Sequence, residues 1–118
     1  MKRDVFNKKG DFITSPEISQ MFGEMIGFFV IHFFSKFGAI INGKRQPDRP
    51  FSLLEFGPGR GTLMRDVLRV LLQFKALKNV EINFVEASPF LQTEQQQRIK
   101  ALLREHDIKY CQTYLPLV

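Results

Sequence analysis

Apolar positions along the chain change period twice, and the order of those periods sets the fold class. From Ile18, apolar residues recur at 18, 21, 22, 25, 26, 29 and 33, the stripe of a helix. Thr14 and Ser15 precede it as capping residues, Pro16 suits a first turn, and Glu17 stands three after Thr14, as in a capping box. Gly38 supplies the C-terminal stop. The second half, "MIGFFVIHFFS" (25–35), is apolar almost all round, which predicts a helix sandwiched between other elements. At eleven residues that run is short of the roughly 20 that a membrane span requires, so no span is expected.

The stretch "NGKRQPDRP" (42–50) reads as loop. "FSLLEF" (51–56) follows as a short buried strand and "VEINFVEA" (80–87) as a second. Between them Leu63, Met64, Val67, Leu68, Leu71, Leu72 and Leu77 trace one helix face, with Arg65, Asp66, Arg69 and Gln73 on the other. Ser88 and Pro89 then cap and open a polar helix, "PFLQTEQQQRIKALLRE". A strand beginning in the closing stretch is cut off by Pro116, and 111–118 is read as a tail.

A strand, a crossover helix and another strand imply a parallel pair with a right-handed connection. Parallel sheets need helices on both faces. The expected fold class is therefore α/β: the N-terminal half of a doubly wound, Rossmann-like domain with a preceding helix and an incomplete sheet. Residues 1–50 form the helical segment and loop, 51–110 the first β-α-β-α unit, and 111–118 the tail.

Composition adds limits. Of 118 residues, 44% are hydrophobic and 25% charged, which marks a folded chain. Thirteen phenylalanines, clustered at 22, 28, 29, 33, 34 and 37, imply a core or partner larger than so short a chain supplies. The net charge of +5 is scattered, without the interleaved aromatics of a nucleic-acid groove, and no nucleic-acid partner is expected. Cys111 stands alone, which leaves no disulfide or CxxC pair. His32 and His106 lack metal-ligand spacing, so no metal is expected. "MKRDVFNKKGDF" lacks a signal core and carries two aspartates, so no targeting segment is visible.

The chemistry concentrates in "LLEFGPGRGTL" (53–63). Gly57, Gly59 and Gly61 fall where the first strand turns into its helix, the ligand-binding edge of an open α/β sheet. Glycines there allow positive φ and a close backbone approach. A P-loop would need Gly-Lys-Ser/Thr, which is absent, and a dinucleotide fingerprint would need glycine at 62, where the chain has Thr62. Glu55 stands two before the first glycine, placed to hold an ammonium group or to bond its own loop. Glu86 ends the second strand, placed to accept ribose hydroxyls from either an S-adenosylmethionine or an NAD ligand, or simply to reach water.

The E-x-G-x-G-x-G spacing resembles that of class I S-adenosylmethionine (SAM) methyltransferases. The stretches "GDFITSPEISQMFGE" (10–24) and "LLEFGPGRGTLMRDVLRV" (53–70), followed by "FVEASP" (84–89), together resemble the MidA-type mitochondrial protein-arginine methyltransferases implicated in respiratory complex I assembly. The resemblance implies that Gly57, Gly59 and Gly61 line a SAM pocket beside Glu55, that Glu86 holds the ribose, and that 10–17 lead into a lid helix. It also implies SAM as cofactor, an arginine of a complex I subunit as acceptor, and a mitochondrial matrix location. Asp11, Glu17 and Glu24 are the carboxylates available near the pocket, and no catalytic residue is singled out. Members of that family are several times longer, so the chain reads as a truncated form. Two free strand edges and an unmatched Phe-rich helix predict self-association. The competing readings are a non-catalytic interaction module and an NAD-dependent oxidoreductase half-domain.

Overall fold

The computed structural model describes residues 15–46, 48–78, 80–104 and 111–115. Helix α1 (Ser15–Lys36) leads into a small hairpin, β1 (Ile40–Ile41) and β2 (Lys44–Arg45). Then follow β3 (Phe51–Phe56), α2 (Thr62–Gln73), β4 (Val80–Val85), α3 (Pro89–Leu103) and β5 (Cys111–Leu115). Strands β3, β4 and β5 form one parallel sheet in that spatial order.

Register explains the layering. Leu53 lies beside Ile82 and Glu55 beside Phe84, so these residues share a face. Ile82 and Phe84 are fully buried there against Met64, Val67, Leu68 and Leu71 of α2, Ile99 and Leu103 of α3, and Phe34 of α1. The opposite face carries Leu54 and Phe56, 49% and 73% exposed. Helices were expected on both faces; among the described residues they lie on one. All three helices bury apolar side chains into the core on the Ile82 side; on the other face Leu54 and Phe56 of β3 stay exposed, while Asn83 and Val85 of β4 are buried.

Helix α1 departs from its expected place. It lies along α2 through Gly23 and Gly27, where an added Cβ would stand 2.6 Å from the Asp66 Cβ and 2.7 Å from the Val70 Cβ. Only glycine permits that approach. Phe34 is buried and tilted on Phe51, ring centroids 4.3 Å apart. The sandwiched helix is instead α2, covered by the sheet on one side and α1 on the other. This is why Asp66, expected on the polar face, is 2% exposed. Its carboxylate accepts bonds from Arg65 (3.2 Å) and Arg69 (3.0 Å), which compensate the buried charge. By length and composition Ile18–Lys36, mean hydropathy 1.3, is long and apolar enough to cross a membrane; here its glycine face is spent on α2.

The helix ends follow local rules. Gly38 (φ 80°) closes α1, with Ala39 N–H donating to the Phe34 carbonyl and Gly38 N–H to that of Ser35, a Schellman motif. Two stretches differ from the sequence reading. Within the 42–50 loop, Asn42 and Gly43 both take positive φ (52° and 75°) and turn the β1–β2 hairpin, the type I′ preference of an Asn-Gly pair. Within the 111–118 tail, Cys111–Leu115 pair with β4 as a strand; a buried neighbour with a free edge recruits them before Pro116. Thr14, Asp11 and His106 lie outside the described residues, as do residues 10–13 of the expected lid segment.

Candidate functional site

Strand β3 ends at Phe56, and the next five residues turn the chain into α2. Gly57, Gly59 and Gly61 all take positive φ (57°, 57° and 83°), a region that L side chains enter only at a cost. Nothing lies within 4 Å of a Cβ added at Gly57 or Gly59, so both glycines border open space. Gly61 differs: its Cβ would meet the backbone and side chain of Gln95 at 3.4 Å. The turn is anchored by Gly57 N–H donating to the Val85 carbonyl (2.9 Å) and Gly61 N–H donating to that of Pro58 (2.9 Å). Gly61 also serves as N-cap of α2, and no side chain caps that helix. Its first N–H groups therefore point toward the turn with their partial positive charge uncompensated.

Two carboxylates flank this turn, as the sequence spacing predicted. Glu55 is half-buried, its Oε1 is buried without a hydrogen-bond partner, and burial raises its carboxyl above the usual glutamate range. A raised folded value means the protonated form favours the fold at low pH, a contribution lost as pH rises through that value. A buried acceptor left unpaired costs about 1–3 kcal/mol. An N–H-donating or cationic ligand beside Glu55 would relieve it.

Glu86 follows β4 directly, level with Gly57 across the sheet. Its Oε2 accepts the Ser88 N–H (3.1 Å) and its Oε1 accepts Gln95 Nε2 (3.2 Å). Each carboxylate oxygen has two acceptor sites, so one on each oxygen remains for a ligand's hydroxyls. Ser88 caps α3, its hydroxyl accepting the Leu91 N–H (3.3 Å).

Helix α3, read from sequence only as polar, supplies the residues that reasoning missed. Gln95 is fully buried and its Nε2 also donates to the Gly59 carbonyl. Arg98 Nε donates to the Arg60 carbonyl (2.9 Å), and Glu94 lies 3.6 Å from Arg60 Nε. Gln92 Nε2 donates to the Glu86 carbonyl (2.7 Å). No spacing rule marks one glutamine in "QTEQQQR" as buried; the only signal was its place four residues before Ile99 on the inward face.

Glu24 lies half-buried on α1, bonded by Gln20 (3.3 Å). The Glu17 side chain is outside the described atoms. A pocket of about 360 Å³ opens beside the turn, between Ile18, Ser19 and Phe22 of α1 and Thr62 and Leu63 of α2. A larger cleft of about 450 Å³ between α2 and α3 is lined by Arg65, Arg69, Glu94 and Arg98 and by none of the expected site residues.

The residues fit SAM. What they offer is an unpaired carboxylate oxygen on Glu55, spare acceptor sites on Glu86, and open space bordered by Gly57 and Gly59.

Comparison with known proteins supports the cofactor through the family. Residues 25–115 match the model of a family described as S-adenosyl-L-methionine-dependent methyltransferases. The chain is 51% identical over 98 residues to the Drosophila melanogaster "Protein arginine methyltransferase NDUFAF7 homolog, mitochondrial", covering 83% of this chain and 21% of that one. It is 51% identical over 89 residues to the Homo sapiens "Protein arginine methyltransferase NDUFAF7, mitochondrial", covering 73% and 18%. A Caenorhabditis elegans homologue of the same name is 46% identical over 95 residues, covering 80% and 20%. The chain thus spans about a fifth of the length of the curated relatives it matches.

Proposed function

The chain belongs to this family of S-adenosyl-L-methionine-dependent methyltransferases, and on that premise we propose that it is the SAM-binding segment of a mitochondrial protein-arginine methyltransferase. The observation that carries the reading is the buried, unpartnered Oε1 of Glu55 in a segment whose three glycines all take positive φ, two of them, Gly57 and Gly59, bordering open space. Gly57, Gly59 and Gly61 cradle the cofactor, Glu55 holds its ammonium end, and Glu86 accepts its ribose hydroxyls. The cofactor supplies a methyl group made electrophilic by its sulfonium.

The chain's own contribution is placement. Methyl transfer is an in-line displacement, and holding the two reacting atoms in alignment supplies much of the acceleration. An arginine acceptor is protonated near neutral pH, so a carboxylate must orient it and accept a proton as the bond forms. No residue of this chain is assigned that step. The names of the relatives support arginine as acceptor and mitochondria as location. The finer assignment, to a respiratory complex I subunit in the matrix, rests on the resemblance of 10–24 and 53–70.

A second reading, a non-catalytic interaction module, draws on the exposed phenylalanines of α1. The NAD reading is disfavoured by Thr62, which stands where the dinucleotide motif requires glycine. Calorimetric titration of the purified chain with SAM and with NADH separates the three. Saturable SAM binding is expected, with loss of at least about tenfold in affinity for Gly59→Val, where a β-branched residue cannot hold φ 57°. A folded chain that ignores SAM overturns the proposal; binding of NADH instead would favour the oxidoreductase.

A further inference from the structure

One buried amide joins the two halves of the site. Gln95 is 0% exposed, and its Nε2 donates to the Gly59 carbonyl and to Glu86 Oε1 (3.2 Å). An amide nitrogen carries two N–H groups and both are used here. Both partners are pure acceptors, so the amide cannot be turned over: its oxygen would face a carbonyl and a carboxylate. Its Oε1 is left buried without a partner, so packing alone does not explain why a glutamine occupies this position. Gly61, with no side chain, lets α3 approach until Gln95 Cα and Cγ lie 3.4 Å from where a Cβ would be.

The alternatives at this position each fail for a stated reason. A carboxylate would repel Glu86 and the Gly59 carbonyl, and an aliphatic side chain would leave the Gly59 carbonyl and Glu86 Oε1 without this donor. Among the described residues no other side chain bonds both the turn and Glu86. The turn is otherwise tied to α3 through Arg60, by Arg98 and Glu94.

We infer that Gln95 is a positioning residue: it locks the Gly59 carbonyl and the Glu86 carboxylate into one geometry before a ligand enters. Its consequence for ribose recognition rests on the SAM reading above. A hydrogen bond to a charged group is the stronger kind, so its loss should read as roughly ten- to a hundredfold in ribose-dependent affinity.

The test uses Gln95→Met, which keeps length and removes both N–H groups, and Gln95→Glu, which keeps shape and offers only acceptors. The second serves if the first fails to fold. In the unliganded chain, amide hydrogen exchange at Gly57 and Gly61, whose N–H groups are bonded within the turn and to β4, should accelerate at least about tenfold while Ile99 and Leu103 stay protected. Affinity for SAM should fall by about tenfold or more, while affinity for its 2′,3′-dideoxyribose analogue falls by less than about threefold. Unchanged exchange in the turn overturns the inference, whatever SAM does. Equal losses for SAM and the analogue overturn it as well, since they reduce Gln95 to packing. A wild-type chain blind to SAM, with exchange still accelerated in the variants, sinks the SAM reading and leaves the tie between turn and carboxylate standing.

Discussion

Helix α1 places Phe22, Phe28, Phe29 and Phe33 about half in solvent, between 49% and 55% exposed. Helix α3, mostly polar in sequence, buries Gln95, Ile99 and Leu103 and holds the glycine turn. The difference lies in what each helix offers its neighbours. Helix α1 approaches α2 through Gly23 and Gly27, so the contact is close and covers Asp66 and Val70 of α2, but buries no α1 side chain at its centre. Of its phenylalanines Phe34 alone is buried, against Phe51, while the other four stay about half exposed. Helix α3 meets the sheet with Ile99 and Leu103 and the turn with hydrogen-bonding groups. Burial follows the face presented, and hydrophobic content alone does not locate it.

The largest expected effect breaks the α1 seam. Gly27→Leu would drive a Cβ to 2.7 Å from the Val70 Cβ, and overpacking of that kind costs about 3 kcal/mol. Thermal unfolding should show the loss. Hydrogen exchange should show α1 released while the turn stays tied to α3; release of both would mean the two helices are one cooperative unit. A middle effect probes α3. Ser88→Ala removes the cap on Leu91 N–H and should lower stability by about 1 kcal/mol in urea titration, with α1 untouched. The smallest effect on stability is expected at the exposed ring positions. Phe22→Ser with Phe33→Ser should change monomer stability by no more than about 0.5 kcal/mol. Sedimentation should nevertheless report weaker self-association; an unchanged association constant would place that contact elsewhere, for instance on the Leu54–Phe56 face.

The turn was legible in sequence because positive φ leaves a written trace: all three positions that needed glycine have it. Gly38 was legible for the same reason. The Asn42-Gly43 hairpin carried an equally plain signal, but its strands are two residues each, too short to show alternation. Asp66 was assigned to solvent because a two-faced helix is normally read against one partner, and α2 has two. Gln95 was illegible for a different reason. A buried polar residue is defined by what folds around it, here the Gly59 carbonyl and Glu86, 36 and 9 residues away.

The sheet order carries a consequence in time. Strands β3, β4 and β5 lie in space as they lie in the chain, so each can dock on its predecessor as it leaves the ribosome. Chains are made at roughly 5–20 residues per second, so β3 waits a second or more for β4, with both edges unpaired. When β5 docks, one edge of β3 is still unpaired among the described residues. During synthesis that edge, with Leu54 and Phe56 beside it, is the surface that a chaperone would need to shield first.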